Sequence, residues 1–251
     1  MSLKDFPEGA SFFEWLIPFE NHCASTSNKR FPELDESAAK CRENLGTLLS
    51  LLYRESCCAY GCKGNSHIGE RIAGRVVSHA VCSYKLLLTG YYDESLSLTR
   101  SIGELGNLLW LFVHRPRERD RWLTADNHTR IREYSPLKVR LKLEAEKLLI
   151  PIDEGKYSSL CEVAVHPTPG VSPQSHNAKG IPTLGAMYQR EGCLACLNEL
   201  AAAVGFGGSG VLPMLDIGER RERILKTAAT LLRSIGNVDL QAVRNSTEPS
   251  N

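Results

Sequence analysis

The stretch DESLSLTRSIGELGNLLWLF, residues 93–112, is the most informative part of this chain. Helical periodicity dominates it, and in its second half apolar residues occupy nearly every side of the helix. A helix that is apolar all round is enclosed by other helices. The stretch therefore predicts a central helix, capped by Asp93 and ending before Pro116, in an all-α fold.

The same period recurs along most of the chain. One apolar stripe, on a long helix between Pro32 and Gly61, consists of Leu34, Ala38, Cys41, Leu45, Leu48 and Leu52. Further helices are predicted from Ser66 to Gly90, from Ser135–Pro136 to before Pro151, and over 153–165, 183–204 and 217–235, with at most one short helix in the arginine-rich stretch 115–132. No stretch has a convincing strand pattern, so we expect a multi-helix bundle of about seven helices.

Two stretches interrupt the helices. Residues 167–182, PTPGVSPQSHNAKGIP, have no periodicity and predict a long loop before the penultimate helix. GFGGSG, residues 205–210, lacks the preceding strand that a phosphate-binding glycine loop requires, and it indicates a hinge. We expect an amino-terminal segment over 1–30, one helical-bundle domain over 31–240 and a disordered tail over 241–251.

Composition narrows the classes of function. The 251 residues are 42% hydrophobic, enough for a sizeable core, and a formal net charge of +1 provides no global attraction to nucleic acid or membrane. The nine cysteines fit a reducing compartment better than a secreted one. Acidic residues at the amino terminus are atypical of a signal peptide, and no run reaches the roughly 18 apolar residues of a membrane span. We expect a cytoplasmic protein with no membrane partner.

Three polar residues of the central helix form the first candidate site. Arg100, Glu104 and Asn107 are spaced i, i+4 and i+7, so they share a helix face, which also holds Leu96 and Leu111. A surface ion pair, an internal structural network and a functional site all fit this spacing.

His166 is the second candidate, at the end of SSLCEVAVHPTPG, residues 158–170. Pro167 ends the helix and holds His166 in an extended conformation just past the last turn. A protonated imidazole beside a long loop could bind an anion or act as a general acid, or it could be a solvated residue at a helix end. Tyr157 and Ser159 would add hydroxyl groups if the three side chains converge.

Three other motifs each have a structural and a functional interpretation. CCAYGC with His67, and CLAC at 193–196, supply zinc-ligand types, but CLAC lies in a helical pattern, so packing is preferred and no metal or cofactor is expected. HRPRERDRW, residues 114–122, alternates arginines with acids and is typical of a solvated connector more than of a phosphate-binding patch. SFFEWLIPF, residues 11–19, could dock a partner or a second copy of the chain, or close its own core.

LLLTGYYDESLSLTRSIGELGNLLWLF and the later KYSSLCEVAVHPTP resemble segments of uncharacterised all-helical bacterial proteins. Those proteins have a Gly-Tyr…Arg…Glu core helix followed by a Tyr…Ser…His-Pro motif. The matching positions here are Gly90, Tyr91, Glu94, Arg100, Glu104, Tyr157 and His166. The resemblance spans residues 80–200 and implies a helical bundle without a known reaction.

More distantly, the arrangement is similar to HEPN-type helical domains, many of which cleave RNA without a metal, usually across a dimer interface. Their signature is an arginine and a polar residue followed by a histidine. The nearest match is RWLTADNH, from Arg121 to His128, with Trp122 in the polar position, whereas RVVSH, from Arg75 to His79, is too short. The resemblance implies that Arg121 and His128 would contact RNA or a nucleotide.

A binding or interaction module is the preferred prediction, with a homodimer as the expected assembly. The alternative is an HEPN-like RNA-cleaving or nucleotide-binding domain of a defence or toxin system, a partner class that the net charge does not indicate. In that alternative His166 or His128 would transfer protons, and Arg100 or Arg121 would stabilise phosphate charge.

Overall fold

The computed structural model describes residues 6–34, 36–60, 67–166 and 185–235, and these ranges contain ten α-helices and no strand. In chain order the helices are α1 (Ser11–Leu34), α2 (Glu36–Ser56), α3 (Ile68–Thr89), α4 (Tyr92–His114), α5 (Pro116–Thr124), α6 (Asn127–Tyr134), α7 (Pro136–Ala145), α8 (Glu154–Ala164), α9 (Arg190–Gly210) and α10 (Arg220–Arg233). The protein is therefore an all-α bundle, as predicted, with ten helices instead of about seven.

The central helix of the bundle is the one that residues 93–112 predicted. It is α4, which packs against α3, α7, α8 and α9. Leu96, Leu109 and Leu111 are completely buried on it. The helix ends before Pro116 as expected, but it begins at Tyr92, so that Asp93 lies in its first turn and does not cap it.

The arginine-rich stretch accounts for part of the difference in helix number. Where one short helix was expected, Pro116 begins α5, since proline fits the first helical turn. Asp126 then caps α6, because its side chain accepts a hydrogen bond of 2.7 Å from the Thr129 backbone N–H. The stretch therefore contains two short helices.

From Ala38 onward the predicted stripe lies on α2 and is buried in the core, with Leu48 and Leu52 completely enclosed. The predicted start near Pro32 is wrong, because Pro32 and Leu34 belong to α1 and α2 begins at Glu36. The predicted ends of α3 and α8 also agree with the structure: Gly90 ends α3 in the left-handed conformation, with a φ of 84°, and α8 ends at Ala164. Ser66, the loop over 167–182 and the tail over 241–251 lie outside the described residues.

The prediction of a hinge at GFGGSG is wrong. Helix α9 begins at Arg190, later than expected, and continues through these residues to Gly210. A Cβ on Gly205 would lie 2.8 Å from Leu232 Cδ2, and one on Gly208 would lie 2.7 Å from Leu52 Cδ1. The glycines therefore let α10 and α2 approach α9 closely, and this contact compensates for their poor helix propensity.

Helix α9 is more enclosed than α4, because 15 of its 21 residues are buried against 11 of 23 in α4. The stretch Arg190–Met214 is long and apolar enough to cross a membrane by composition, with a mean hydropathy of 1.3, and 78% of its apolar window is buried inside the bundle. Its apolar surface is thus covered by the other helices, as in the core helix of a bundle.

Helix α1 packs against the bundle only in its second half. Its buried residues are Cys23, Ser27, Phe31 and Leu34. No residue from 6 to 22 is buried, although this part of the helix is rich in aromatic side chains.

Candidate functional site

Arg100, Glu104 and Tyr157 form one polar network between α4 and α8. Arg100 Nη2 donates hydrogen bonds of 2.6 Å to Glu104 Oε1 and 2.8 Å to the Tyr157 hydroxyl. The Arg100 guanidinium also lies over the Tyr157 ring, 4.7 Å from its centroid. The Arg100 and Glu104 side chains are only 19% and 21% exposed, so this is an interhelical network and not an exposed surface pair.

A second arginine reaches the same tyrosine from α7. The Arg140 guanidinium lies 5.7 Å from the Tyr157 ring centroid, and its side chain is 9% exposed. Arg140 pairs with Glu144 at 3.2 Å and with Glu154 at 3.3 Å. Tyr157 therefore joins α4, α7 and α8 through two cations.

The surroundings of Arg100 and Tyr157 favour a charged guanidinium and a neutral hydroxyl. Burial disfavours the charged form of Arg100, but the Glu104 carboxylate outweighs burial and raises the pKa of Arg100. Burial and the Glu104 charge raise the pKa of Tyr157, so its hydroxyl keeps its proton at neutral pH. Arg100 is thus held as a cation by its pairing.

Asn107 is occupied by the backbone that precedes α8. Its Nδ2 donates to the Ile152 carbonyl at 2.8 Å, and its Oδ1 accepts from the Ile152 N–H at 2.9 Å. A side-chain amide that satisfies both groups of one buried residue holds that segment in place. Both polar atoms of the side chain are occupied in this way, and they secure the entry into α8.

His166 lies at the end of α8 and is exposed. Its backbone N–H donates to the Cys161 carbonyl at 2.8 Å, and Ser97 Oγ on α4 donates to the Ala164 carbonyl at 2.6 Å. Among the described residues no hydrogen bond or ion pair joins its ring to Arg100 or Glu104. Ser159 is half-buried on the same helix. His166 is placed where the helix ends, apart from the network at Arg100.

Arg121 and His128, the residues indicated by the HEPN resemblance, lie on α5 and α6 and are both exposed. Arg121 is close enough to Glu118 and Glu133 to help lower the pKa of each carboxyl. Because its charge is partly balanced by these acids, it is a weaker phosphate ligand than an isolated arginine.

A groove that the sequence reasoning missed lies beside the Arg100 network. It is bounded by α3, α4 and the segment from α6 to α7, has a volume of about 380 Å³, and includes Glu104 in its wall. Its other lining residues are Arg75, Val76, His79, Ser101, Ile102, Leu105, Leu108, Tyr134, Pro136 and Val139. We call it the α3–α4 groove.

In the sequence, Arg75 and His79 of the α3–α4 groove stand out only as the ends of RVVSH, whereas Glu104 is a candidate through its spacing from Arg100. Arg75 and His79 are four residues apart on α3 and therefore lie on one face of the helix. Burial and the Arg75 charge lower the pKa of His79, so the imidazole is mainly neutral at pH 7. Four-residue spacing was the one signal that pointed to this pair.

A larger groove of about 750 Å³ lies between the end of α1, α2 and Arg223 of α10. One of the two arginines of this groove, Arg42, already donates to the Tyr84 hydroxyl at 2.7 Å and to Asn28 at 2.6 Å. It also covers the Phe31 ring at 4.7 Å. Because Arg42 and Tyr84 already bind each other, this groove is the weaker candidate.

The first part of α1 and the residues before it carry an apolar surface that packs on itself. We call it the aromatic surface; it consists of Phe6, Phe12, Phe13, Trp15, Leu16, Ile17 and Phe19. The Trp15 ring lies 4.8 Å from that of Phe19 and 5.3 Å from that of Phe6. Glu20, which accepts a 2.9 Å hydrogen bond from Tyr91, marks where α1 reaches the bundle.

The cysteines of CLAC are core residues. Cys193 and Cys196 are completely buried in α9, and burial raises the pKa of Cys193 to about 12. Cys58 Sγ lies 3.8 Å from His67 Nδ1, while Cys62 is outside the described residues. Within the described part of the chain no group of three or more His, Cys, Asp or Glu side chains could hold a metal ion.

Comparison of the chain with protein families, with curated proteins and with solved structures finds no match. The resemblance to HEPN-type domains therefore stays a prediction, and function has to be argued from the surfaces of this protein.

Proposed function

We propose that this protein is an interaction module that forms a homodimer through the aromatic surface of α1. The observation that supports the proposal is the exposure of that surface. Phe13 is 69% exposed, and Phe6, Ile17 and Phe19 are each about half exposed, at 49%, 51% and 48%. Contiguous apolar patches of this kind mark interaction sites on folded proteins.

The spacing of the aromatic surface favours another helix as its partner. Going back from the buried Cys23, the residues Phe19, Leu16 and Phe12 follow at steps of four, three and four. This is the spacing of a seam between packed helices. The stripe that packs on the bundle from Cys23 onward thus continues for about three turns in which none of the described residues is buried.

Charge argues against nucleic acid and anionic lipid. Residues 6–22 contain no lysine or arginine, and their acids are Glu8, Glu14 and Glu20. Binding to phosphate backbones and to anionic membranes depends on such basic residues. At 100° per residue Glu14 lies on the side opposite Leu16, so in a helix pair it would not face its own copy.

Self-association is the simplest way to cover this surface, because each chain supplies the same apolar stripe and a two-fold axis pairs it with itself. Each large aromatic side chain can bury ~150–250 Å². Pairing half-exposed side chains from two copies would bury roughly 800–1,200 Å² in total, at the low end of specific interfaces. We therefore expect a reversible dimer with a Kd on the order of 1–100 μM.

The proposal is tested by the molar mass of the protein in sedimentation equilibrium across this concentration range. Phe13→Glu should weaken dimerisation by tenfold or more, because it would place a charge in the aromatic surface, beside the seam of Phe12, Leu16 and Phe19. Ile131→Glu on α6 is the matched control, since Ile131 is 66% exposed but lies outside the aromatic surface, and it should leave the Kd unchanged. A wild-type chain that stays monomeric at about 200 μM would overturn the proposal.

A further inference from the structure

The α3–α4 groove has the dimensions and the lining of a small-molecule site. Its volume of about 380 Å³ lies within the range of ligand pockets, about 300–1,000 Å³. Most of its wall is apolar, including Leu105, Leu108 and Val139, and a few polar groups stand along it. Such a combination holds the body of a ligand by contact and its head group by hydrogen bonds.

The charges in the groove leave one cation available. Glu104 is neutralised by its ion pair with Arg100. Arg75 is an exposed residue that lines the groove, and it has no carboxylate within ion-pair distance in the described ranges. A carboxylate that reached it could accept two parallel hydrogen bonds. The charge balance therefore favours a ligand with a single negative charge.

We propose that the α3–α4 groove binds a small amphipathic monoanion, namely an aryl or alkyl carboxylate. The Arg75 guanidinium binds the carboxylate, and the neutral imidazole of His79, one turn further along α3, donates or accepts a hydrogen bond beside it. Ser101 Oγ donates to the Ser97 carbonyl at 3.2 Å and so offers the head group an acceptor or a water contact. The apolar body lies against Leu105 and Leu108.

This inference does not rest on dimerisation, because the groove and the aromatic surface share no residue. Binding in the groove is non-covalent. If the groove binds no carboxylate, the proposed dimerisation through α1 is unaffected, and if the protein does not dimerise, the proposed binding in the groove is unaffected.

The test is a calorimetric titration of the whole protein with 1-naphthoate. We expect a Kd of about 1 mM or tighter, with acetate and uncharged 1-naphthalenemethanol binding at least tenfold more weakly, since each lacks one half of the interaction. Arg75→Gln should weaken binding of 1-naphthoate by tenfold or more, the usual effect of losing a charge-assisted hydrogen bond. Arg71→Gln, one turn earlier on α3 and outside the groove, is the matched control and should change the Kd by less than twofold.

Two further variants keep the proposal open to refutation. Ser101→Trp fills the groove and should abolish binding, with an unchanged circular dichroism spectrum as evidence that the chain still folds. Phe13→Glu changes the aromatic surface and should leave binding intact. The proposal is overturned if 1-naphthoate does not bind, if Arg75→Gln binds like wild type, or if Phe13→Glu removes the binding.

Discussion

Arg100 belongs to a largely buried polar network between α4, α7 and α8. Its guanidinium bonds Glu104 on its own helix and Tyr157 on α8, while Arg140 reaches the same tyrosine from α7. Burying such charges is costly unless they are paired, so the network contributes specificity to the packing of three helices more than raw stability.

The Arg100–Glu104 pair should matter far more than an exposed pair with the same spacing. Glu104→Gln removes the charge but keeps the shape, and it should lower the free energy of unfolding by about 1–3 kcal/mol because it leaves a largely buried guanidinium unpaired. Glu36→Gln breaks the pair with Lys40, in which the lysine side chain is 65% and the glutamate side chain 85% exposed, and should have little effect on the free energy of unfolding. Urea unfolding of both variants measures the difference, and equal costs would show that Arg100 is effectively solvated.

Glu118 should make the stability of the protein depend on pH in the acid range. Burial raises the pKa of its carboxyl, but hydrogen bonds from Tyr134 at 2.8 Å and Lys142 at 3.0 Å outweigh burial, and the pKa is lowered. Because the pKa is lower in the folded state, the Glu118 carboxylate stabilises the fold above the unfolded-state pKa, about 4.3. This stabilisation is lost as the pH falls through the folded-state pKa.

Glu118→Gln should therefore be less stable than wild type at pH 7 and lose less stability than wild type on acidification. Unfolding free energies measured between about pH 3 and pH 7 provide the comparison. Parallel pH profiles for the two proteins would refute the role of Glu118.

For individual residues, the sequence predicted which side chains share a helix face but not which side chains they contact on other helices. The spacing of Arg100, Glu104 and Asn107 correctly placed them on one face. It could not show that Tyr157 completes the network or that Asn107 bonds Ile152, because those contacts join residues 57 and 45 positions apart. The groove at His79 was missed for the same reason, since its walls come from separate helices.

Among the helices, α9 shows that a glycine-rich motif can indicate either a hinge or close packing between helices. GFGGSG was interpreted as a hinge, since glycine is a poor helix former. In the structure α10 and α2 pack so closely on α9 that a Cβ at Gly205 or Gly208 would overlap with a neighbouring leucine. Here tertiary contact overrides local helix propensity. Periodicity predicted α2, α3 and α4 correctly, because their apolar stripes are long and regular.

Gly205→Ala should therefore destabilise the protein even though alanine favours helix. The new Cβ would lie 2.8 Å from Leu232 Cδ2 and 2.9 Å from its Cγ, and the overpacking should exceed the gain in helix propensity, for a net loss of about 1–2 kcal/mol. Gly46→Ala on α2 is the control. A Cβ there meets nothing within 4 Å, so the same change should stabilise the protein by about 0.5–1 kcal/mol. Thermal unfolding of both variants decides the sign, and a stabilising Gly205→Ala would contradict the close-packing explanation.

For the molecule as a whole, exposed large apolar side chains are concentrated at the start of α1 and just before it, where Phe6, Phe13, Ile17 and Phe19 lie, while others such as Ile131 and Leu137 are exposed elsewhere. The sequence had left two interpretations of SFFEWLIPF open, docking and closure of its own core. The structure shows that its side chains pack on one another and leave Phe13 and Ile17 exposed. We interpret this end of the molecule as a site for a second copy, while the α3–α4 groove supplies an independent site for a small anion.

The most direct test of this account is the concentration dependence of hydrogen exchange in α1. In a monomer, residues 11–22 have few packing contacts and Pro18 interrupts their hydrogen bonds, so their amides should exchange quickly. On raising the protein from about 2 μM to about 200 μM, we predict slower exchange in residues 11–22 and unchanged exchange in α4 and α9. Exchange in residues 11–22 that is the same at both concentrations would contradict dimerisation through the aromatic surface.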